Sequence, residues 1–349
     1  MTKPLAIDKQ YLVEFLVDLL DKPSPSGYAE PAIACTESAM LELGLAPEHT
    51  PKGALVAVWP GRASDSPRAL TAHVDTLGAM VKEIKSNGRL RLSKIGSYAW
   101  NTVEGEGCTV FTATGKTIRG ALLITKASLH VHGKQVGEVE REDESMEVRL
   151  DERAATAEEV RALGIEVGDL VAFDPRIEVS EAGFVRSRYL DDKASAACVL
   201  AAVKAMMDAG HQPAQRTTLH FSNYEEVGHG AATGFPPDLA ELVAVDMAPV
   251  GEGQASDEFH TTICAKDSGG PYHAGLTAHL RSLAQQAGIP YKMDIYPHYG
   301  SDGEAYWRAG GNVQVALLGP GVDASHNYER THLDSLVATA QLVAAYLMG

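Results

Sequence analysis

The stretch from Thr217 to Gly230, Thr-Thr-Leu-His-Phe-Ser-Asn-Tyr-Glu-Glu-Val-Gly-His-Gly, constrains this chain more than any other. Its first half alternates apolar and polar residues with the period of a strand, then stops at Glu225 and Glu226, and glycines follow. A strand ending in two carboxylates suits an open α/β sheet, which carries its ligands beyond the C-terminal ends of its strands. One adjacent glutamate pair is by itself an ordinary solvated strand end. It gains weight because four other segments end in metal-capable side chains: Thr71-Ala-His-Val-Asp75, Arg188-Tyr-Leu-Asp-Asp192, Leu242-Val-Ala-Val-Asp246 and Gly321-Val-Asp-Ala-Ser-His326.

At 349 residues the chain has room for one large domain or two smaller ones. A net charge of −16, from 30 basic and 46 acidic residues, argues against nucleic acid, which requires a basic stripe. No leader-like start and no apolar run approaching the roughly 18 residues of a membrane span are found. The four cysteines, Cys35, Cys108, Cys198 and Cys264, form no Cys-x-x-Cys pair. The expectation is a cytoplasmic protein with reduced thiols, no membrane and no thiolate zinc.

Apolar residues at Leu12, Phe15, Leu16, Leu19 and Leu20 predict an amphipathic helix over 9–21. Pro23-Ser-Pro-Ser-Gly27 interrupts it, with Ser26 as candidate cap of a second helix running to about Leu43. Strands are predicted at 55–59 and 69–72, the latter delivering His73. From about Val81 to Glu178 the texture changes to short β-prone pieces (90–95, 108–114, 121–124, 129–132) between closely spaced turns, with one short helix at 157–163. That spacing suggests a small β-barrel or sandwich. The α/β rhythm then resumes with an almost wholly apolar helix over 193–209, strands at 217–222, 242–245, 292–296 and 313–318, and a closing helix over 333–347. The predicted architecture is an α/β/α domain with a mixed sheet, residues 1–82 and 179–349, interrupted by an inserted small β domain, residues 83–178.

In extended chain, residues two apart project to one side, so Asp75 is placed to accept a hydrogen bond from the ring of His73. Such a contact fixes the tautomer of a metal-ligating histidine. Asp191 and Asp192 precede the apolar helix. One can serve as a cap, but two acids beside an apolar helix exceed what a cap requires, and Asp191 is the candidate bridge between two ions. With His73, Glu226, Asp246 and His326 it makes a set of five hard and borderline donors suited to two divalent ions, zinc by default, cobalt or manganese otherwise. Glu225, left free beside a ligand, is the candidate general base.

The chain resembles the glutamyl and tetrahedral (TET) aminopeptidases, a family of dinuclear metallopeptidases, over nearly its whole length. The resemblance rests on Pro23-Ser-Pro-Ser-Gly27, Ala72-His-Val-Asp75, Leu190-Asp-Asp-Lys193, Glu225-Glu-Val-Gly228, Val245-Asp246 and Gly300-Ser-Asp302. It implies that His73 and Asp246 hold one ion, Glu226 and His326 the other, that Asp191 bridges them, that Glu225 is the base and that Asp75 orients His73. It further implies that the inserted domain drives homo-oligomer assembly, often into a dodecamer. The chain departs from the family at Thr76, where an acid is usual, at Lys193, where Arg is usual, and at His326-Asn-Tyr-Glu-Arg330, which replaces His-Ser-Pro-x-Glu. The last two changes fall on the rim that sets specificity.

The leading expectation is therefore a cytoplasmic aminopeptidase acting on short peptides. A dinuclear-metal amidohydrolase or deacylase, acting on a small modified peptide or N-acyl amino acid, is the alternative that the altered rim motivates. A catalytically silent shell protein would need a missing ligand or base, and none is missing. A glycosidase would work with two carboxylates and no metal.

Overall fold

The computed structural model describes residues 3–349. They form two compact units, Met1–Asp75 with Arg176–Gly349, and Thr76–Pro175.

The first unit is built on a 12-stranded sheet. Its centre is four parallel strands in the order Gln215–Ser222, Ala63–His73, Glu241–Val245 and Gln314–Asp323. Near-continuous apolar runs such as Leu242 to Val245 suit this position, because parallel strands are covered on both faces. Leu55–Trp59 and Thr261–Lys266 flank the group in antiparallel fashion, so the sheet is mixed. Register matters for function here: Ser222 pairs with His73, Ala244 with Thr71, and Val245 with Leu318. The strands thus end level, and whatever follows each one emerges at a common edge.

Helices complete the layers. Lys9–Leu20 is capped by the Asp8 carboxylate, which accepts from the Tyr11 amide at 3.1 Å, and it buries Leu12, Phe15, Leu16, Leu19 and Leu20. Every residue of helix Leu190–Asp208 from Leu190 to Val203 is buried. A helix apolar all round must be covered on all sides, and this one packs against the sheet, against Lys9–Leu20 and against the closing helix Leu333–Met348. Small residues (Ala194, Ala196, Ala197, Ala201, Ala202) permit that close approach. The helix after the Pro-Ser-Pro-Ser-Gly turn spans Glu30–Glu42 and carries no side-chain cap. Ser26 does not cap it, because its hydroxyl is turned to Asp75.

The second unit is a closed barrel of six strands in the order Gly78–Ile84, Leu90–Ile95, Met146–Leu150, Thr117–Ile124, Gly107–Phe111 and Leu170–Phe173. Period-2 burial defines its interior: Thr117–Ile124 buries Ile118, Gly120, Leu122 and Ile124 and leaves the intervening residues at least partly exposed. A boundary at residue 83 would cut strand Gly78–Ile84, which pairs within the barrel, so the compact unit starts at Thr76. The piece at 129–132, expected as β, is a one-turn helix, Leu129–His132. Its four residues are all exposed, so no sheet face exists to favour a strand there. Among the described residues no helix is long and apolar enough to cross a membrane, and the four cysteines are unpaired.

One backbone approach is demanding. A Cβ on Gly319 would stand 1.8 Å from the carbonyl oxygen of Asp246, whose own amide donates to Leu318 O at 2.9 Å. Only glycine lets strand Gln314–Asp323 lie this close. Gly319→Ala is expected to destabilise the unit by about 1–3 kcal/mol or more through overpacking, whereas Gly251→Ala, where a Cβ meets open space, should leave it unchanged. Thermal unfolding of the two variants checks this.

Candidate metal centre

His73 is the last residue of strand Ala63–His73 and is 2% exposed. Its Nδ1–H donates to the backbone oxygen of Asp75 at 2.9 Å. That leaves the Nε2 lone pair facing Asp191 Oδ1 at 3.1 Å, with Glu225 Oε2 at 3.7 Å. The expected ring contact with the Asp75 carboxylate is replaced by this carbonyl contact, the carboxylate standing 3.7 Å away. The strand ends at His73, so the alternation argument does not carry on to Asp75. Its carboxylate instead accepts from Ser26 Oγ at 2.5 Å and from the amides of Glu225 and Glu226 at 3.2 and 3.3 Å.

Asp191 enters from the start of helix Leu190–Asp208. Tyr189 is left-handed, and Asp191 and Asp192, joined by a cis peptide bond, have non-helical backbone angles. Asp191 Oδ1 reaches His73, and its Oδ2 lies 3.2 Å from Nε2 of His326. Asp192 is fully buried behind the site, where its Oδ2 accepts from the amide of His73 at 3.3 Å. Asp246 follows strand Glu241–Val245 and is 5% exposed. Glu225 and Glu226 stand on a 3-10 turn, Glu225–Val227, entered through left-handed Tyr224 and left through Gly228. Glu226 Oε2 lies 3.5 Å from His326 Nε2. Donor atoms of His73, Asp191 and Asp246 lie within 4.8 Å of one another, as do those of Asp191, Glu226 and His326. Five residues named from the sequence thus converge as two groups sharing Asp191. Glu225 belongs to neither.

The electrostatics call for cations. Burial pushes the Asp246 carboxyl up to about 8 and that of Glu226 up to about 7, in each case with Asp191 adding to the shift. Burial also raises Glu225 well above the usual range. Burial acts the same way on Asp191, but the bonds from His326 and His73 outweigh it and hold that carboxyl below its usual value. Buried carboxylates are costly unless compensated, and Asp246 Oδ1 and Glu226 Oε1 have no hydrogen-bond partner. Two imidazoles and three carboxylates, with free oxygens and no thiolate, fit two divalent ions of the zinc, cobalt or manganese kind. A cavity of about 360 Å³ opens over both groups and is also lined by Met247, Pro249, His298 and Tyr299.

Three supporting residues escaped the sequence reading. Glu329, 2% exposed, accepts from the amide of Asp191 at 3.1 Å and from that of His326 at 2.9 Å. It stood in the altered rim motif and was read only as a change of specificity. Ser26 was read as a cap. Asp302, quoted in a motif without a role, accepts from Thr71 Oγ1 at 3.3 Å, from Ser222 Oγ, and from the amide of Ala231 at 2.7 Å. It ties two strand ends beneath the site.

Residues 53–342 match the family model described as M42 glutamyl aminopeptidase. The chain is 45% identical over 337 residues to YhfE of Bacillus subtilis, named as a candidate aminopeptidase, with 97% of each chain covered. It is 26% identical to the glutamyl aminopeptidase of Lactococcus lactis, covering 89% of this chain and 88% of that one. Among solved structures, the Pyrococcus horikoshii TET1 peptidase, described as able to assemble into a tetrahedron or a large octahedral shell, superimposes with a TM-score of 0.82. Its identity is 22%, over 97% of this chain and 99% of that one, a likeness of fold.

Glu329 generates a prediction of its own. Glu329→Ala leaves two buried amides without an acceptor and should cost about 1–3 kcal/mol, with faster hydrogen exchange at His326. Glu329→Gln keeps one acceptor oxygen and should cost less. Thermal unfolding and exchange mass spectrometry on both variants measure the difference.

Proposed function

The chain belongs to the M42 glutamyl aminopeptidase family, and from that premise we propose that it removes N-terminal residues from short peptides with two divalent cations at the strand-end site. It is a peptide hydrolase of the aminopeptidase kind. The observation that carries the assignment of roles is the division of the site: two donor groups share Asp191, while Glu225 stands outside both yet 3.7 Å from His73 Nε2.

On this reading His73, Asp191 and Asp246 hold one ion and Asp191, Glu226 and His326 the other, with zinc the default metal. Bound ions supply Lewis-acid polarisation of a carbonyl and make water easier to deprotonate. The protein's own residues do the rest. Glu225 takes the proton from the water that attacks the scissile carbonyl and returns it to the leaving amine. Asp75 holds the backbone of both glutamates and, through its carbonyl, the ring of His73. Glu329 holds the backbone of Asp191 and His326, so the two groups keep their spacing.

The relatives' names favour a free peptide N-terminus over the deacylase alternative, and comparing free with N-blocked peptides tests that choice. The assembly described for the Pyrococcus horikoshii peptidase supports a homo-oligomer, with a dodecamer as the expected form. The barrel unit Thr76–Pro175 is the proposed assembly element, and the proposed location is the cytoplasm.

Chelation should abolish activity, and zinc, cobalt or manganese should restore it. Full activity in an exhaustively metal-free preparation would contradict the reading. The adjacent glutamates should also separate. Glu226→Gln should lose metal as well as rate, because a neutral amide is a poorer ligand. Glu225→Gln should keep both ions and its substrate affinity while kcat falls by about 10²–10⁴-fold, the usual loss of general acid–base catalysis. Metal content measured beside kinetics decides, and the opposite pattern would exchange the two roles.

A further inference from the structure

The segment carrying Glu225 and Glu226 leaves strand Gln215–Ser222, makes its 3-10 turn and doubles back through a second turn, Gly230–Ala232. Its near end is fixed by the Asp75 carboxylate on the amides of Glu225 and Glu226. Its far end lies against Glu225 itself: a Cβ on Gly230 would stand 2.9 Å from the Glu225 nitrogen and 2.3 Å from Asp302 Oδ1. Whatever holds residues 229–231 therefore holds Glu225 as well.

Two side chains hold that end. Asp302 accepts from the amide of Ala231. Lys52, from the turn before strand Leu55–Trp59, donates through Nζ to the carbonyl of His229 and to that of Gly230 at 2.8 Å. The turn bearing Lys52 is itself fixed, since Gly53 N donates to Thr50 O at 2.9 Å and Ala54 N to Thr50 Oγ1 at 3.0 Å. It is carried by the antiparallel pairing of Leu55 with Phe221, so Lys52 starts level with the segment it binds. The aliphatic stem and ammonium also lie over Tyr224, the left-handed residue that begins the turn, at 5.9 Å from its ring, and Tyr224 in turn stacks on His229. An ammonium suits two converging carbonyls, having three donors and no acceptor, and its charge makes those hydrogen bonds stronger than neutral ones.

We propose that Lys52 is a positioning residue for the reaction: its ammonium clamps the His229 and Gly230 carbonyls and thereby sets the placement of Glu225. Lys52 touches neither the donor groups nor the cavity lining, so it acts through Glu225 and not on substrate. The catalytic consequence rests on the proposed function, whereas the clamp is a property of the fold and is tested apart from activity.

The test compares wild type with Lys52→Met, which keeps the stem and removes the donors, and Lys52→Arg, which keeps donors and charge. Hydrogen exchange of the peptide spanning 223–232, measured in metal-free and zinc-loaded protein, reads the clamp. Kinetics on a free peptide with metal analysis reads its effect. Lys52→Met is expected to exchange faster across 223–232, to retain both ions, to keep KM within about twofold and to lose roughly 10- to 100-fold in kcat, the scale of an ångström-level misplacement. Lys52→Arg should recover most of the loss and protect the segment again. Unchanged exchange and kcat in Lys52→Met would overturn the proposal while leaving the aminopeptidase reading intact, and so would a Lys52→Arg variant as impaired as Lys52→Met. If Lys52→Met does not fold, a folded and active Lys52→Arg with a protected segment supports the clamp, and failure of both variants overturns it. If the wild type cleaves no peptide, the functional reading fails and exchange alone decides the clamp.

Discussion

Carboxylates withdrawn from water and brought close together are the constraint on which the catalytic unit depends. Asp191, Glu225, Glu226 and Asp246 share one small cavity, and burial alone would drive such groups to take up protons. Asp191 escapes because two imidazoles face it from opposite sides, His73 at 3.1 Å and His326 at 3.2 Å. Asp246 and Glu226 each keep an oxygen with no partner. A fold that tolerates this arrangement has a compensating charge to come, and the donor types select divalent cations.

The cost of such a cluster explains the thickness of the layer behind it. Each group facing the cavity is held by a second residue bonded to backbone, which spends no donor atom of the site. Asp192 takes the amide of His73, Asp75 takes those of Glu225 and Glu226, and Glu329 takes those of Asp191 and His326. These anchors are themselves acids, so the region is more acidic than its donor count implies. Burial pushes the Glu329 carboxyl up to about 8, with Asp191 adding to the shift.

The sheet makes such anchoring feasible. Parallel strands in register end at one level, so short excursions past His73, Ser222 and Val245 suffice to bring distant segments together. The barrel unit interrupts the chain directly after Asp75 and returns it at Arg176, so an entire domain is inserted without lengthening any of those excursions.

Much of this was legible in the sequence because its signals are local. Period 2 marked Leu55–Trp59 and the strand before Glu225, period 3.6 marked Lys9–Leu20, and an all-apolar helix declared itself buried before Leu190–Asp208 was seen. The five candidate donors could be named because each follows a strand or opens a helix. What the sequence could not decide is which polar group meets which. Ser26 had the composition of a helix cap and became the partner of Asp75, 49 residues away. Asp75 was expected to hold His73 by its carboxylate and does so by its carbonyl. Glu329 pairs with an amide 138 residues distant, and Lys52 with carbonyls 177 and 178 residues away. Periodicity reports the face on which a side chain lies, because helix and strand geometry repeat along the chain. Hydrogen-bond partners are chosen by where separate elements come to rest after packing, and only the tertiary structure decides that.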